Sequence, residues 1–530
     1  MNLTAQQILL SLSTILSILF FPYGLNFYVL MQKAQNYKLP KIEKWRKKPV
    51  TIQLPIFNEK YVVERLMKSC AAMADHYGRD LVQILLLDDS TDETTEIVKK
   101  VAEKYKRLGY DVEVIHRSNR EGFKAGALQN ALKYTKHPFI AIFDADFVPP
   151  SDFLDKVMPY FEDEKLGIAQ CRWTHLNREY NATTKAIAIG YDGHHIVEQA
   201  GRTAANFLLN FNGSAGVLRR SALEEAGGWQ SDTLAEDLDA SYRMQLKGWK
   251  AIYLRDITCP AEIPPTVPAV KRQQSRWARG SIRVFRKLSI EILKSKMLSF
   301  EQKIEALIHL SYYSVHPLMF SAFLIALISA IFDIRLVNLT LIIEAMITPG
   351  GAAPSTQGLN FIPYLQKFID KAWDAAISMP HWIVLNVMIF FCAVSMWIFY
   401  AYTLRLQGIK IKSQAKALAS LALIGFGISL SNTIAVLQGL FARNAGSFAR
   451  TPKYRIEKVT DTWRDKKYQI TVNKMVFLEV LLGLTGLAAM VKAVLDNNLG
   501  IIPILAVYVV SYFYVALLTK KEAAPIKGSD

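Results

Sequence analysis

Cysteine is scarce. The chain has four in 530 residues, Cys70, Cys171, Cys259 and Cys392, all far apart. No C-x-x-C spacing exists, which excludes a zinc knuckle and a dithiol redox motif, and the spacing does not describe a disulfide-stapled module. Glycine and proline are modest, 27 and 20 residues, which excludes a collagen. Charge is limited to 21% of residues against 51% hydrophobic, a balance that excludes a disordered chain. Acidic residues are the minority sign, 46 against 63 Lys and Arg, leaving a net charge of +17. The length suggests two to four domains of ordinary size.

The positive charge is not spread evenly. Residues 33–48 carry seven cations and one anion, 271–297 nine and one, and 442–474 nine and three. These blocks hold more than the whole net charge, so the remainder is slightly acidic. A basic chain invites a nucleic-acid reading. Here each block adjoins a long apolar run, which is how the cytoplasmic face of a membrane protein is written. Membrane lipid, not nucleic acid, is the expected partner.

A membrane crossing needs about 20 mostly apolar residues. Residues 8–31, 307–332, 382–402, 475–495 and 501–519 qualify, with Glu479 and Lys492 expected to reach the interface. Residues 417–441 are long enough but broken by Gly425, Gly427, Ser429, Ser431 and Asn432. Laying that segment along the inner interface keeps every basic block inside. The expectation is five spans with the N-terminus outside, an Arg-rich interfacial helix at 271–300, and one sizeable external loop at 333–379.

Between residues 49 and 270 short β-rich runs alternate with helical periodicity. Strands are expected at 50–54, 82–87, 112–116 and 139–143, and helices at 59–73, 92–107 and 122–134. This alternation predicts an α/β domain with a mostly parallel sheet, whose ligands bind at the carboxyl ends of the strands. Acids gather there. Asp88 and Asp89 end the second strand, and Asp144-Ala145-Asp146 ends the fourth. An Asp-x-Asp at such an end offers hard oxygens to Mg²⁺ or Mn²⁺ shared with substrate phosphates. The helix start Gly122-Phe123-Lys124-Ala125-Gly126 suits a phosphate-bearing ligand. Downstream lie a small polar turn at Asn212-Gly213-Ser214-Ala215-Gly216 and the acids Glu236 and Asp237 opening a helix. Gln273-Gln274-Ser275-Arg276-Trp277 sits on the basic stretch.

Taken in order, these motifs resemble the family 2 glycosyltransferases of the cellulose synthase and hyaluronan synthase type. Within it, they are most similar to the cellulose-synthase-like (gluco)mannan synthases and their bacterial relatives. The resemblance rests on Leu54-Pro55-Ile56-Phe57-Asn58-Glu59, Leu87-Asp88-Asp89-Ser90-Thr91-Asp92, the Gly122–Leu128 run, Ile142-Phe143-Asp144-Ala145-Asp146-Phe147 and Phe211-Asn212-Gly213-Ser214-Ala215-Gly216-Val217. It continues through Ala226-Gly227-Gly228-Trp229, Glu236-Asp237, the Q-x-x-R-W of Gln273, Arg276 and Trp277, and Phe448-Ala449-Arg450-Thr451-Pro452-Lys453, which resembles the gating motif F-x-V-T-x-K.

The resemblance implies a GT-A, Rossmann-like fold and inverting transfer from a nucleotide sugar, UDP-glucose or GDP-mannose. It places Glu59, Asp88, Asp89, Lys124, Gly126 and Asp144 at the donor, with Asp146, beside Asp144, on the metal. Asp237, beside Glu236, matches the catalytic base; Trp277, Arg276 and Gln273 meet the growing glycan acceptor; Phe448, Thr451 and Lys453 close over nucleotide. Two positions depart from the pattern: the threonine of T-E-D is Ala235 and the valine of the gating motif is Arg450. Regulation by a cyclic dinucleotide through an appended β-barrel is not expected. The organisation expected is a span at 1–32, a cytoplasmic GT-A domain at 33–270 and an interfacial segment at 271–303. Helices and a loop at 304–441, a gating loop at 442–474 and terminal spans at 475–530 follow. The resulting expectation is a multi-pass protein of the plasma or inner membrane that polymerises and exports a β-1,4-glycan. Two alternatives stand beside it: a glycolipid-forming single-transfer enzyme, and a non-catalytic nucleotide-sugar-binding export subunit.

Overall fold

A computed structural model describes residues 3–336 and 381–523 apart from 445, 447 and 473. The external loop expected at 333–379 lies outside them beyond residue 336.

Helix α1, Leu3–Ala34, leads into an α/β domain. Its strands β1 (Val50–Ile56), β2 (Val82–Asp88), β3 (Asp111–His116) and β4 (Phe139–Ile142) pair in parallel in the order β3-β2-β1-β4. Helices α2 (Val63–Tyr77), α3 (Thr94–Arg107) and α4 (Phe123–Ala131) make the connections. β2 and β4 are buried along their whole length because helices cover both faces. On one face Leu66, Met67 and Cys70 of α2 join Ile52, Leu54 and Ile84; on the other Leu128 of α4 joins Leu85, Leu87 and Ile140.

Three further strands, absent from the sequence reading, extend the sheet. β5 (Leu166–His175), β6 (Gly216–Arg219) and β7 (Lys250–Ala261) complete the order β3-β2-β1-β4-β6-β5-β7. β6 runs antiparallel to β4, and Gly216 pairs with Ile142. That reversal matters for function: it carries the turn at 212–215 to the carboxyl end of β4, beside Asp144.

Helix α5, Ala182–Asp192, starts at a capping box, in which the Asn181 side chain accepts from Thr184 N at 2.8 Å and the Thr184 hydroxyl accepts from Asn181 N at 3.0 Å. Asn181→Ala is expected to lower stability by about 1 kcal/mol, read as a lower Tm.

α6 (Glu236–Leu246) precedes β7, and α7 (Val267–Lys294) and α8 (Phe300–Leu310) follow it. Beyond lie α9 (Val315–Ile331), α10 (His381–Leu406), α11 (Ala415–Gly427), α12 (Ser429–Phe441), α13 (Met475–Leu495) and α14 (Ile502–Glu522). By length and composition, four helical segments among the described residues are apolar enough to cross a membrane: Ala5–Ala34, Tyr312–Ile331, Met475–Leu495 and Leu499–Glu522. The expected span at 382–402 falls within α10, which packs on α1 through Phe27–Phe399 and Tyr28–Phe391 at ring separations of 4.5 and 4.7 Å.

Two expectations change. Residues 417–441 are two helices, not one; the segments Ile411–Gly427 and Ser429–Phe441 meet at 49° and by length and composition suit a broken span or a re-entrant loop. Gly425, Gly427 and the serines that follow weaken a continuous helix there, and a Cβ on Gly427 would fall 2.7 Å from Ser511 O of α14. The Glu479 side chain does not extend outward from the helix end. It is fully buried and ion-paired with Lys271 of α7, because a carboxylate inside apolar helices requires a cation. Lys492 pairs with Asp496 at 2.6 Å.

α7 is held to α12 by its arginines. Arg286 donates to Leu440 O at 2.6 Å and Arg283 to Ala442 O at 3.0 Å. Cations on the last carbonyls satisfy groups that a helix end leaves open and oppose its dipole. The Q-x-x-R-W segment thereby rides on a helix fixed to the apolar bundle.

Candidate active site

The acids predicted at the strand ends converge on one edge of the sheet. Lys124, in the first turn of α4, lies 2.6 Å from Asp144 Oδ1 and donates to Gly213 O at 2.8 Å. Gly122 caps this helix with φ +70°, and the backbone N–H of Asp144 donates to Ser214 Oγ at 2.9 Å. Gly213 itself has φ +79°, and a Cβ there would fall 2.5 Å from Asp237 Oδ2 and 3.2 Å from Lys124 Nζ. Only glycine permits both side chains to close on this turn. Asp237 and Lys124 are therefore neighbours although 113 positions separate them.

The electrostatics follow from that packing. Burial pushes the Asp237 carboxyl above its ordinary value, and Lys124 and Arg276 pull against the shift. Glu236 is pushed up by burial and by the adjacent Asp237 charge, with the same two cations opposing. Burial works against the charge on Lys124, but Asp144, Glu236 and Asp237 outweigh it and its pKa is raised. Asp237 remains partly open to solvent, whereas Glu236 is 6% exposed.

Asp146 is 3% exposed; Lys453 pairs with its Oδ2, and its Oδ1 is buried without a hydrogen-bond partner. A buried carboxylate oxygen left unbonded is a place for a cation. Among the described residues no three His, Cys, Asp or Glu side chains converge as a metal site. The donor set offered is two carboxylates, Asp144 and Asp146, which fits an oxygen-loving divalent ion completing its shell from phosphate and water.

Other predicted donor residues separate into two kinds. Asp88 is fully buried and both oxygens are bonded, Oδ1 to Ser90 N at 3.0 Å and Oδ2 to His116 Nδ1 at 2.8 Å. It shapes the loop. Asp89 is gripped by Arg117 through two contacts of 2.8 and 2.5 Å. Gly126 lies beneath the turn before α4, where a Cβ would collide with Glu121 O and approach Arg117 Nη1 to 2.8 Å. Glu59, pushed up to about 7 chiefly by burial and partly restrained by Arg450 and Lys453, faces the same edge.

Beside the apolar helices, Trp277 lies 5.7 Å from the Tyr191 ring of α5, and Tyr191 donates its hydroxyl to Gln273. Tyr313 donates to Gln274 Oε1 at 3.0 Å. Arg276 lies 4.9 Å from the Phe448 ring, which stacks at 6.0 Å on Phe123 of α4. Phe448 and Lys453 therefore rest on the site, and the Thr451 hydroxyl is buried and unbonded. Tyr191, Tyr313, Arg117 and Arg120 join the site without a sequence motif to mark them; Tyr191, for example, meets Gln273 across 82 positions.

Residues 48–280 match a sequence family described as glycosyltransferase like family 2. The chain carries a family 2 glycosyltransferase domain. Its mostly parallel sheet is the GT-A fold. The chain is 38% identical over 263 residues to probable glucomannan 4-beta-mannosyltransferase 4 of Oryza sativa subsp. japonica, covering 49% of this chain and 48% of that protein. It is 37% identical over 263 residues to glucomannan 4-beta-mannosyltransferase 9 of Arabidopsis thaliana, covering 49% of each. The chain thus spans about half the length of these relatives. A solved structure, the mannosyltransferase PcManGT of Pyrobaculum calidifontis with GDP-Man and Mn²⁺, superposes with a TM-score of 0.46 at 20% identity, over 73% of this chain and 99% of its own.

Proposed function

We propose that this protein is a membrane-embedded, processive, inverting β-glycosyltransferase. It takes hexose from a nucleotide sugar on the cytoplasmic side, extends a β-1,4-linked polysaccharide, and passes it through a channel among its own helices to the far side of the plasma or inner membrane. The observation that carries this reading is the meeting of Asp237, Lys124 and Asp144 at Gly213, with Trp277 and Tyr191 on helices that lead into the apolar bundle.

Asp237 accepts the proton of the acceptor hydroxyl as that oxygen attacks the anomeric carbon, a contribution of about 10²–10⁴ in rate. Single displacement needs no enzyme nucleophile. Lys124 holds Asp144 and lends positive charge beside the base. Asp144 and Asp146 would hold Mg²⁺ or Mn²⁺, which supplies charge neutralisation for the departing diphosphate. Arg276 adds positive charge at the same place. Trp277 stacks on the apolar face of a sugar, a contact that holds a glycan without fixing its length. Residues 442–474 act as the gating loop, with Phe448, Thr451 and Lys453 folding over nucleotide. The names of the plant relatives favour mannose as the hexose and a β-1,4 linkage.

Purified full-length protein in vesicles, given radiolabelled UDP-glucose or GDP-mannose, is expected to yield a long polymer cut by a β-1,4-glycanase. Only short or lipid-extractable products would replace this reading with single transfer to a lipid.

A further inference from the structure

Arg450 stands where the resembled gating motif has valine, and none of the steps above uses its guanidinium. Its Nη1 is buried and makes no hydrogen bond. The nearest carboxylate, Glu59 Oε1, is 3.7 Å away, outside hydrogen-bonding distance, and the Arg450 side chain is 12% exposed. The guanidinium is fixed from behind by the Tyr468 ring, 4.5 Å from its carbon. Tyr468 is itself anchored through its hydroxyl on Asp92 and edge-on to Tyr61 at 6.1 Å.

Two further donors at this edge have no partner. Arg120 lies 3.3 Å above the Phe57 ring with its Nε buried and unbonded, and the Thr451 hydroxyl is likewise unbonded. Arg120 is close enough to Arg450 and Asp89 to feel both charges. Three residues on from Arg450, Lys453 reaches Asp146. A sequestered guanidinium whose ion-pair partner stands at 3.7 Å leaves hydrogen-bonding capacity unused, and here several unmet donors share one edge with it. An anion bearing more than one charge and several acceptor oxygens completes such a set.

We propose that Arg450 is a diphosphate-binding residue of the donor site, its planar fork donating to the diphosphate of the nucleotide sugar when Glu59 gives it up, with Arg120 and Thr451 alongside. The proposal rests on the donor reading given under Proposed function. Arginine suits this role because its fixed fork meets two phosphate oxygens at once, whereas valine can only pack.

The test uses the full-length protein in detergent and isothermal titration with UDP, GDP, UMP and GMP. Arg450→Val is expected to weaken the preferred diphosphate by about tenfold or more, the loss of a charge-assisted hydrogen bond. The monophosphate should weaken much less. Arg450→Lys, which keeps the charge without the fork, should fall between, and it carries the test if Arg450→Val fails to fold. Salt should weaken diphosphate binding more in the wild type than in Arg450→Val. Wild-type diphosphate affinity in both variants overturns the proposal. Equal losses for mono- and diphosphate overturn it too, since residue 450 would then only hold the gating segment closed. If the wild type binds neither diphosphate, the donor reading itself falls.

Discussion

Asp237→Asn is expected to lower sugar transfer by about 10²–10⁴ while nucleotide affinity stays near that of the wild type. Asparagine has the shape of the side chain it replaces and keeps an oxygen for the Leu238 N–H, which donates to Asp237 Oδ1 at 2.8 Å. It cannot take a proton. Asp237 packs closely on the turn, where a Cβ at Gly213 would sit 2.5 Å from its Oδ2. The substitution therefore changes chemistry more than geometry. Neighbouring Glu236 is not positioned to substitute: it is 6% exposed and sits deeper than Asp237. Initial rates of diphosphate release alongside nucleotide titration check the split. Unchanged transfer would remove the role of base from Asp237, and nucleotide binding without any transfer by the wild type would favour a nucleotide-sugar-binding protein without catalysis.

The sheet's first half was legible because hydrophobic runs of four to seven residues alternate with helices, and each run closes on an acid or a turn. A strand end at Asp88, and one just before Asp144, follow from that pattern alone. The second half was not legible. β6 has only four residues and follows a glycine- and serine-rich turn, and β5 and β7 are interrupted by register shifts at Leu166/Ile168 and Cys171/Arg172. Yet β6 decides the site, because its reversal sets Gly213 against Lys124 and Asp237. Likewise Gly122 and Lys124 suggested a phosphate-facing helix start, but the ion pair with Asp144 depends on the crossing of β4 and α4. Tyr191 and Gln273, 82 residues apart, meet only because α5 and α7 pack beside the apolar bundle. Glu479 shows the converse: its position near the end of α13 suggested the interface, and a lysine on another helix drew it inside.

Lys124→Met is expected to move the acid limb of the pH–rate profile upward by about one to three pH units. Lys124 sits 2.6 Å from Asp144 and shares the Gly213 turn with Asp237, so it is the cation common to Asp144, Glu236 and Asp237. Its charge holds down the pKa of both Asp237 and Glu236 against burial. Without it, both carboxyls rise further. A base works only in its deprotonated form, so activity is present above the pKa of Asp237 and is lost as pH falls through it. Raising that pKa moves the loss to higher pH, and one unit below the new value costs about tenfold in the active form. Methionine keeps the aliphatic stem, so α4 retains its packing on Leu87 and Ile140 while the charge and the hydrogen bond to Gly213 O are removed. The profile separates two causes. If Lys124 acts through its field, activity returns as pH is raised, and Lys124→Arg keeps the limb near its wild-type position. If the loss is equal at every pH, Lys124 serves only to hold the Gly213 turn, and the electrostatic coupling of the base to α4 is wrong.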